Sequence, residues 1–204
     1  YYYSGWAGTD KHDYVETNMD GAYYVCIDCS NVVFENLTNL SNVAQVVMVG
    51  FSTNITIRNS TGETMQGVKF LASNDSQVYN CTFKSVQNSS EYFDILPPDI
   101  FLSMHAMNIQ LSNNINISDV EVDDNYGLAF LYRAHNTIIQ NITHKNSYKI
   151  GAITLFESGS NTFADITFRN LSGLYPYQLF DEIPEAVITA YSSYNNRFDR
   201  INIS

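Results

Sequence analysis

The residues able to do chemistry in this chain are few, and their densest group is acidic. Asp119, Glu121, Asp123 and Asp124 fall within six residues. Alternate positions of a strand share one face, and paired carboxylate oxygens are the hard donors that calcium takes. Glu121 and Asp123 are therefore the candidate calcium ligands. A solvated acidic edge is the preferred alternative, because Asp119 and Glu121 flank an inward residue. Cys26 and Cys29 have the spacing of a metal or redox pair, yet no second pair follows. On one continuous strand, positions three apart point to opposite sides. Cys81 reads as a small apolar core residue. No residue qualifies as catalytic on sequence grounds.

Asparagine carries a different chemistry. Eleven Asn-X-Ser/Thr sequons occur, at Asn36, Asn39, Asn54, Asn59, Asn74, Asn80, Asn88, Asn116, Asn141, Asn170 and Asn202. With 23 Asn and 34 Ser or Thr in 204 residues, chance would give about four. The excess points to N-linked glycans and an extracellular or cell-surface location. Asn59, Asn74, Asn88 and Asn170, at loop or corner positions, are the expected attachment sites.

The elements that hold these residues are repeats. One apolar anchor recurs as Leu37, Ile55, Cys81, Val120, Ile142, Ile166 and Ile201, spaced 18, 26, 39, 22, 24 and 35 residues apart. An outward, threonine-rich position follows each anchor, and then a second inward one, which is the period of a strand. Three residues before the anchor stands another inward column: Phe34, Ser52, Val78, Ile117, Ile139, Phe163 and Phe198. Odd spacing demands a bend between the two. The bend residues are Asn36, Asn54, Asn80, Asp119, Asn141 and Asp165, and Asn and Asp tolerate the left-handed conformation a corner needs. Such a unit cannot bury its own inner face and must stack on its neighbours.

Residues 31–38 (Asn-Val-Val-Phe-Glu-Asn-Leu-Thr) and 136–143 (Asn-Thr-Ile-Ile-Gln-Asn-Ile-Thr) resemble rungs of the right-handed parallel β-helix, the pectate-lyase-like superfamily. The resemblance implies an all-β, single-stranded solenoid of about seven rungs over residues 21–204, behind an end-piece at 1–20. It carries two insertions, 88–105 and 173–185. It also implies that Asn36, Asn54, Asn80, Asp119, Asn141 and Asp165 form a buried, hydrogen-bonded ladder, so that sugar is not expected on them. The fold serves lyases, glycosidases, phage spikes and plain surface proteins alike.

In enzymes of that superfamily the groove runs along the first sheet, here segments 68–72, 107–111, 129–133, 153–157 and 188–192. Their register places Tyr132, Phe156 and Tyr191 in one outward column, beside Phe130, Thr154 and Thr189. Stacked aromatics hold sugar rings; they also stabilise sheets by ordinary cross-strand packing, the preferred reading here. Arg133 and Lys69 are the groove-side bases. Of the polygalacturonase landmarks only Asp123-Asp124 is matched, and Arg133-Ala134-His135 is not Gly-His-Gly.

Composition narrows the partners. A net charge of −11 argues against nucleic acid and anionic membranes, and would repel polyuronate. No apolar run approaches bilayer length, so membrane insertion is not expected. The expectation is a non-enzymatic extracellular structural protein without cofactor. It would be a surface-layer, sheath or filament subunit assembling head to tail, with the insertions adding lateral contacts. The alternative is a polysaccharide-active lyase or glycosidase, or a carbohydrate-binding fragment such as a phage-spike segment.

Overall fold

A computed structural model describes residues 22–38, 40–84, 105–123, 127–146, 152–171 and 186–204. They are all-β. The strands are β1 (Ala22–Ile27), β2 (Ser30–Glu35), β3 (Leu40–Gly50), β4 (Thr53–Arg58), β5 (Thr61–Leu71), β6 (Asn74–Lys84) and β7 (His105–Gln110). They continue as β8 (Asn113–Asp123), β9 (Gly127–Tyr132), β10 (Ile138–Lys145), β11 (Ile153–Phe156), β12 (Thr162–Arg169), β13 (Ile188–Tyr191) and β14 (Arg197–Ile203). The expected end-piece 1–20, Asn88 and the second insertion, 173–185, lie outside the described residues. So does the first insertion apart from His105, which instead opens β7 and pairs with Gly127. Gly127 must be glycine: a Cβ there would stand 2.1 Å from the His105 ring.

Every pairing is parallel. Odd-numbered strands form one row from β1 to β13, even-numbered strands a second from β2 to β14, and the start of β5 also joins the end of β6. Each strand thus pairs with its counterpart one repeat away, as expected for units that bury their faces by stacking. The inward sides carry the core, from Val47, Val68, Met107, Ala129 and Ile153 in the first row to Ile57, Val78, Ile117, Ile139 and Phe163 in the second.

Three long columns of left-handed residues, and a short fourth made of Asn146 and Asn170 at φ 53°, turn the chain. Asn36, Asn59, Asn80, Asp119, Asn141, Asp165 and Arg200 lie at φ 50–56°, and Asn31, Asn54, Asp75, Asn114, Asn136, Ser160 and Asn195 at 52–59°. Asn and Asp suit both. The third column, Asp28, Phe51, Ala72, Leu111, Arg133, Glu157 and Ser192, lies at 48–53°. Its residue types are poor choices for that conformation, so the stacked strands on either side impose it.

This register corrects two expectations. Glu35 faces Arg58 and Arg58 faces Tyr79, which puts Asn59, not Asn54, between Asn36 and Asn80. The anchor after that corner is Ser60 rather than Ile55, and Ile57 replaces Ser52 in the preceding inward column. With Ser60 in place, the uneven spacings of 18 and 26 become 23 and 21. The residues of the first two columns, moreover, are all exposed. Their amides do bond along the stack, Asn54 Nδ2 to Asn31 Oδ1 at 2.6 Å and Asn80 Nδ2 to Asn59 Oδ1 at 2.8 Å, but on the outside. A left-handed residue between two inward neighbours directs its own side chain away from the core.

The buried polar ladder is made of serine. Residues 29, 52, 73, 112, 134, 158 and 193 follow the third corner column, and five of them are Ser. Ser52 Oγ accepts the Cys29 N–H, Ser73 Oγ the Ser52 N–H and Ser112 Oγ the Ser73 N–H, at 3.0–3.2 Å. Ser158 and Ser193 repeat the pattern toward Ala134 and Ser158. Each hydroxyl also donates to the carbonyl two residues earlier, as Ser52 does to Gly50 at 2.6 Å. A short inner asparagine ladder exists as well, where Thr137 N–H donates to Asn161 Oδ1 and Asn161 N–H to Asn196 Oδ1. Cys29 occupies the first position of the serine column. Asp28, at φ 53°, turns it to the same side as Cys26, and the two form a disulfide with Cα atoms 5.9 Å apart. The pair therefore faces one way, contrary to the continuous-strand expectation. Cys81 is free and buried, and burial pushes its thiol up to about 11.

Candidate functional site: the outer face of the first strand row

Alternation in the odd-numbered strands sends two columns away from the core. One reads Met48, Lys69, Asn108, Phe130, Thr154 and Thr189; the other Gly50, Leu71, Gln110, Tyr132, Phe156 and Tyr191. The first is as buried as the core itself, from 0% exposure at Met48, Asn108 and Phe130 to 7% at Thr154 and Thr189. Tyr132, Phe156 and Tyr191 are half-buried.

The aromatic column is brought together only in part. Phe156 and Tyr191 stack with centroids 4.7 Å apart and planes 12° apart, and Phe130 lies tilted at 6.0 Å from Phe156. Tyr132 is in register with Phe156, but the Arg133 guanidinium lies 5.1 Å from its ring centroid. Arg133 also pairs with Glu157 across the corner, Nε to Oε2 at 2.6 Å, an exposed ion pair that holds its charge out of the column.

Buried polar groups are distributed along the same face. Gln110 Nε2 donates to Asn108 Oδ1 at 2.7 Å, while Gln110 Oε1 and Thr189 Oγ1 are buried without a hydrogen-bond partner. Burial disfavours the ammonium form of Lys69 and pushes it down to about 8. Lys69 and Thr189 stand four strand spacings apart, about 19 Å, so these buried groups do not form one site. The half-buried Phe156–Tyr191 pair is what presents a surface to a sugar ring. Among the described residues these two columns contain no carboxylate, whereas inverting and retaining glycoside hydrolysis both require two. Sequence reasoning placed Lys69 and the aromatics here but missed Asn108, between Lys69 and Phe130, and Gln110, between Leu71 and Tyr132.

The acidic cluster does not assemble. Glu121 and Asp123 do share a face of β8, but Lys145 Nζ bonds Glu121 Oε1, and Asn146 Nδ2 donates to Asp123 Oδ1 at 2.7 Å. Asp119 is a corner residue accepting from Asn141 Nδ2, and Asp124 lies outside the described residues. Among those residues no three His, Cys, Asp or Glu side chains are grouped to hold a metal ion. No described helix is long and apolar enough to cross a membrane.

The sequons are the remaining chemistry. Nine of the eleven fall on residues whose side chains are described: Asn36, Asn54, Asn59, Asn74, Asn80, Asn116, Asn141, Asn170 and Asn202. All nine are exposed. The four corner sequons expected to be buried, Asn36, Asn54, Asn80 and Asn141, are thus as open to solvent as Asn59, Asn74 and Asn170.

No family model matches the chain, and no curated protein does. Among solved structures it is similar to a crystal structure described as a "putative glycosyl hydrolase" from Parabacteroides merdae ATCC 43184. The identity is 13% and the TM-score 0.49, over 94% of this chain and 86% of that one.

Proposed function

We propose that this chain is a non-enzymatic, extracellular structural protein. It is a right-handed parallel β-helix that assembles head to tail as the subunit of a surface layer, sheath or filament. The observation carrying this reading is the exposure of every described sequon asparagine, on or directly after the even-numbered strands from β2 to β14. A chain that folds by burying amides would hide some of eleven sequons; this one presents nine to solvent. The Cys26–Cys29 disulfide fits an oxidising compartment. Head-to-tail assembly is supported by the mode of stacking. Strands pair in parallel with their counterparts one repeat away and bury their inner faces by it, and a heterologous contact of this kind propagates. Insertions 88–105 and 173–185 would add lateral contacts.

Fractionation of native cells with glycan detection tests the location, and electron microscopy of the same material tests the assembly. Glycosylated protein at the cell surface in regular arrays is the expected result. An unglycosylated monomer in the cytosolic fraction would overturn the proposal.

A second reading, a carbohydrate-binding or polysaccharide-active fragment, is favoured by the Phe156–Tyr191 stack, with the unpartnered Thr189 Oγ1 two residues from Tyr191 on β13. Titration against a panel of neutral and acidic oligosaccharides decides it. Binding abolished by Tyr191→Ala would support it, and no binding would remove it.

A further inference from the structure

The nine exposed sequons are not equivalent as acceptors. Glycosylation forms a bond from Nδ2 to the anomeric carbon of a diphosphate-activated sugar. The diphosphate leaves, and the transferase takes the Nδ2 proton. Nδ2 carries two hydrogens and only one is lost. A side chain held against its neighbour must nevertheless leave that stack before its nitrogen can enter a transferase site, which costs the hydrogen bond. Asn54 Nδ2 donates to Asn31 Oδ1, Asn80 Nδ2 to Asn59 Oδ1, Asn141 Nδ2 to Asp119 Oδ1 and Asn170 Nδ2 to Asn146 Oδ1. Asn59 is held at both ends, since its own Nδ2 reaches Glu35 Oε1 at 3.4 Å. By contrast Asn36, Asn74, Asn116 and Asn202 donate no side-chain hydrogen bond to another described residue.

Stacking adds a steric limit. Asn36, Asn59 and Asn80, three sequons, occupy successive places in one corner column. Neighbouring strands lie about 4.8 Å apart. A pyranose ring with its substituents is wider than that, so adjacent places in the column cannot both carry sugar.

We infer that Asn36, Asn74, Asn116 and Asn202 are the N-glycan attachment sites of the folded protein, and that amide stacking withholds Asn54, Asn59, Asn80, Asn141 and Asn170. The inference rests on the extracellular reading for its biological setting but not for its geometry. Of the sites expected from sequence it keeps Asn74, drops Asn59 and Asn170, and leaves Asn88 outside the described residues.

The test treats the purified, folded chain with a soluble asparagine glucosyltransferase and UDP-glucose, then maps hexose by site-resolved mass spectrometry. The denatured chain serves as the control for how well each sequon is read. Relative to that control, occupancy should favour the four free amides over the stacked five by about fivefold or more, the ratio one modest hydrogen bond sets. Two variants make the prediction positive. Asn59→Gly and Asp119→Gly keep the left-handed corner, which glycine adopts freely, while removing the acceptors of Asn80 and Asn141. Each should switch on its partner asparagine while the melting curve stays unchanged. Equal occupancy of all nine in the folded chain, modification of none, or failure of both variants to unmask their partners would overturn the inference. Native material separates the two proposals. A chain without sugar in its own cells that still shows this pattern in vitro would sink the extracellular reading and keep the site map.

Discussion

Two polar columns run the length of this molecule, and they resemble each other in everything but burial. The serine column and the corner column both sit at or beside left-handed residues, and both bond from one repeat to the next. Ser52, Ser73, Ser112 and Ser158 are 0–3% exposed, and their hydroxyls close on backbone N–H and C=O groups that water cannot reach. The corner amides of Asn54, Asn80 and Asn141 donate to Asn31, Asn59 and Asp119 one repeat earlier, in full view of solvent. Removing a serine leaves a buried donor unmet, at a cost of about 1–3 kcal/mol. Removing a corner amide exchanges one hydrogen bond for another with water. Repetition of a residue type therefore marks a corner, whereas burial decides whether the repeat stabilises anything.

The largest expected effect breaks the distinction between inside and outside. Ile142→Asp or Ile166→Asp puts an uncompensated charge among side chains that are 1% and 0% exposed, costing several kcal/mol, and should abolish cooperative unfolding. Thr143→Asp, one residue from the first and turned outward, should stay folded. Circular dichroism melts that fail to separate the two classes would refute the facing assigned to β10 and β12.

Lys69 is a buried polar group that belongs to neither column. Its ammonium is desolvated, so between pH 8 and its unfolded value of 10.5 the unfolded chain binds more protons and stability rises with pH. Below pH 8 the full penalty applies, on the order of 3 kcal/mol. Lys69→Met should stabilise the protein at pH 7 by up to that amount and flatten the rise between pH 8 and 9. Urea titrations at several pH values measure both.

Ser73→Ala should cost about 2 kcal/mol, because the Ser52 N–H loses its acceptor inside the stack. Ala134 offers the converse. It is fully buried and interrupts the serine column, so Ala134→Ser should supply the acceptor missing for Ser112 N–H and stabilise by about 1 kcal/mol. A loss of stability there would mean the column has no room for the hydroxyl. The smallest effects belong to the corner. Asn141→Gly should be neutral within roughly 0.5 kcal/mol, while Asn141→Ala should cost about 1 kcal/mol, because alanine resists a φ of 53°. Equal costs for the two would show that the amide stack, not the backbone, is what matters.

Much of the architecture was legible in the residues themselves. Period-two alternation over residues such as 138–145 specifies a strand, and an Asn or Asp set between two inward apolar residues specifies a bend, because both are local properties of the chain. The serine ladder was legible too and went unread: Ser52-Thr53-Asn54, Ser73-Asn74-Asp75, Ser112-Asn113-Asn114 and Ser193-Tyr194-Asn195 all place it two residues before a corner. Which of two similar corners stacks on which was not a local property. Asn54 and Asn59 both follow the bend pattern, and only the pairing of Arg58 with Glu35 and Tyr79 assigns Asn59 to the column of Asn36 and Asn80. The same holds for the outer face of the first row. Lys69, Asn108 and Phe130 read as outward residues in their own strands, and alternation says no more than that. Their burial, and the amine depressed by it, come from what surrounds them in three dimensions, a quantity that no single strand contains.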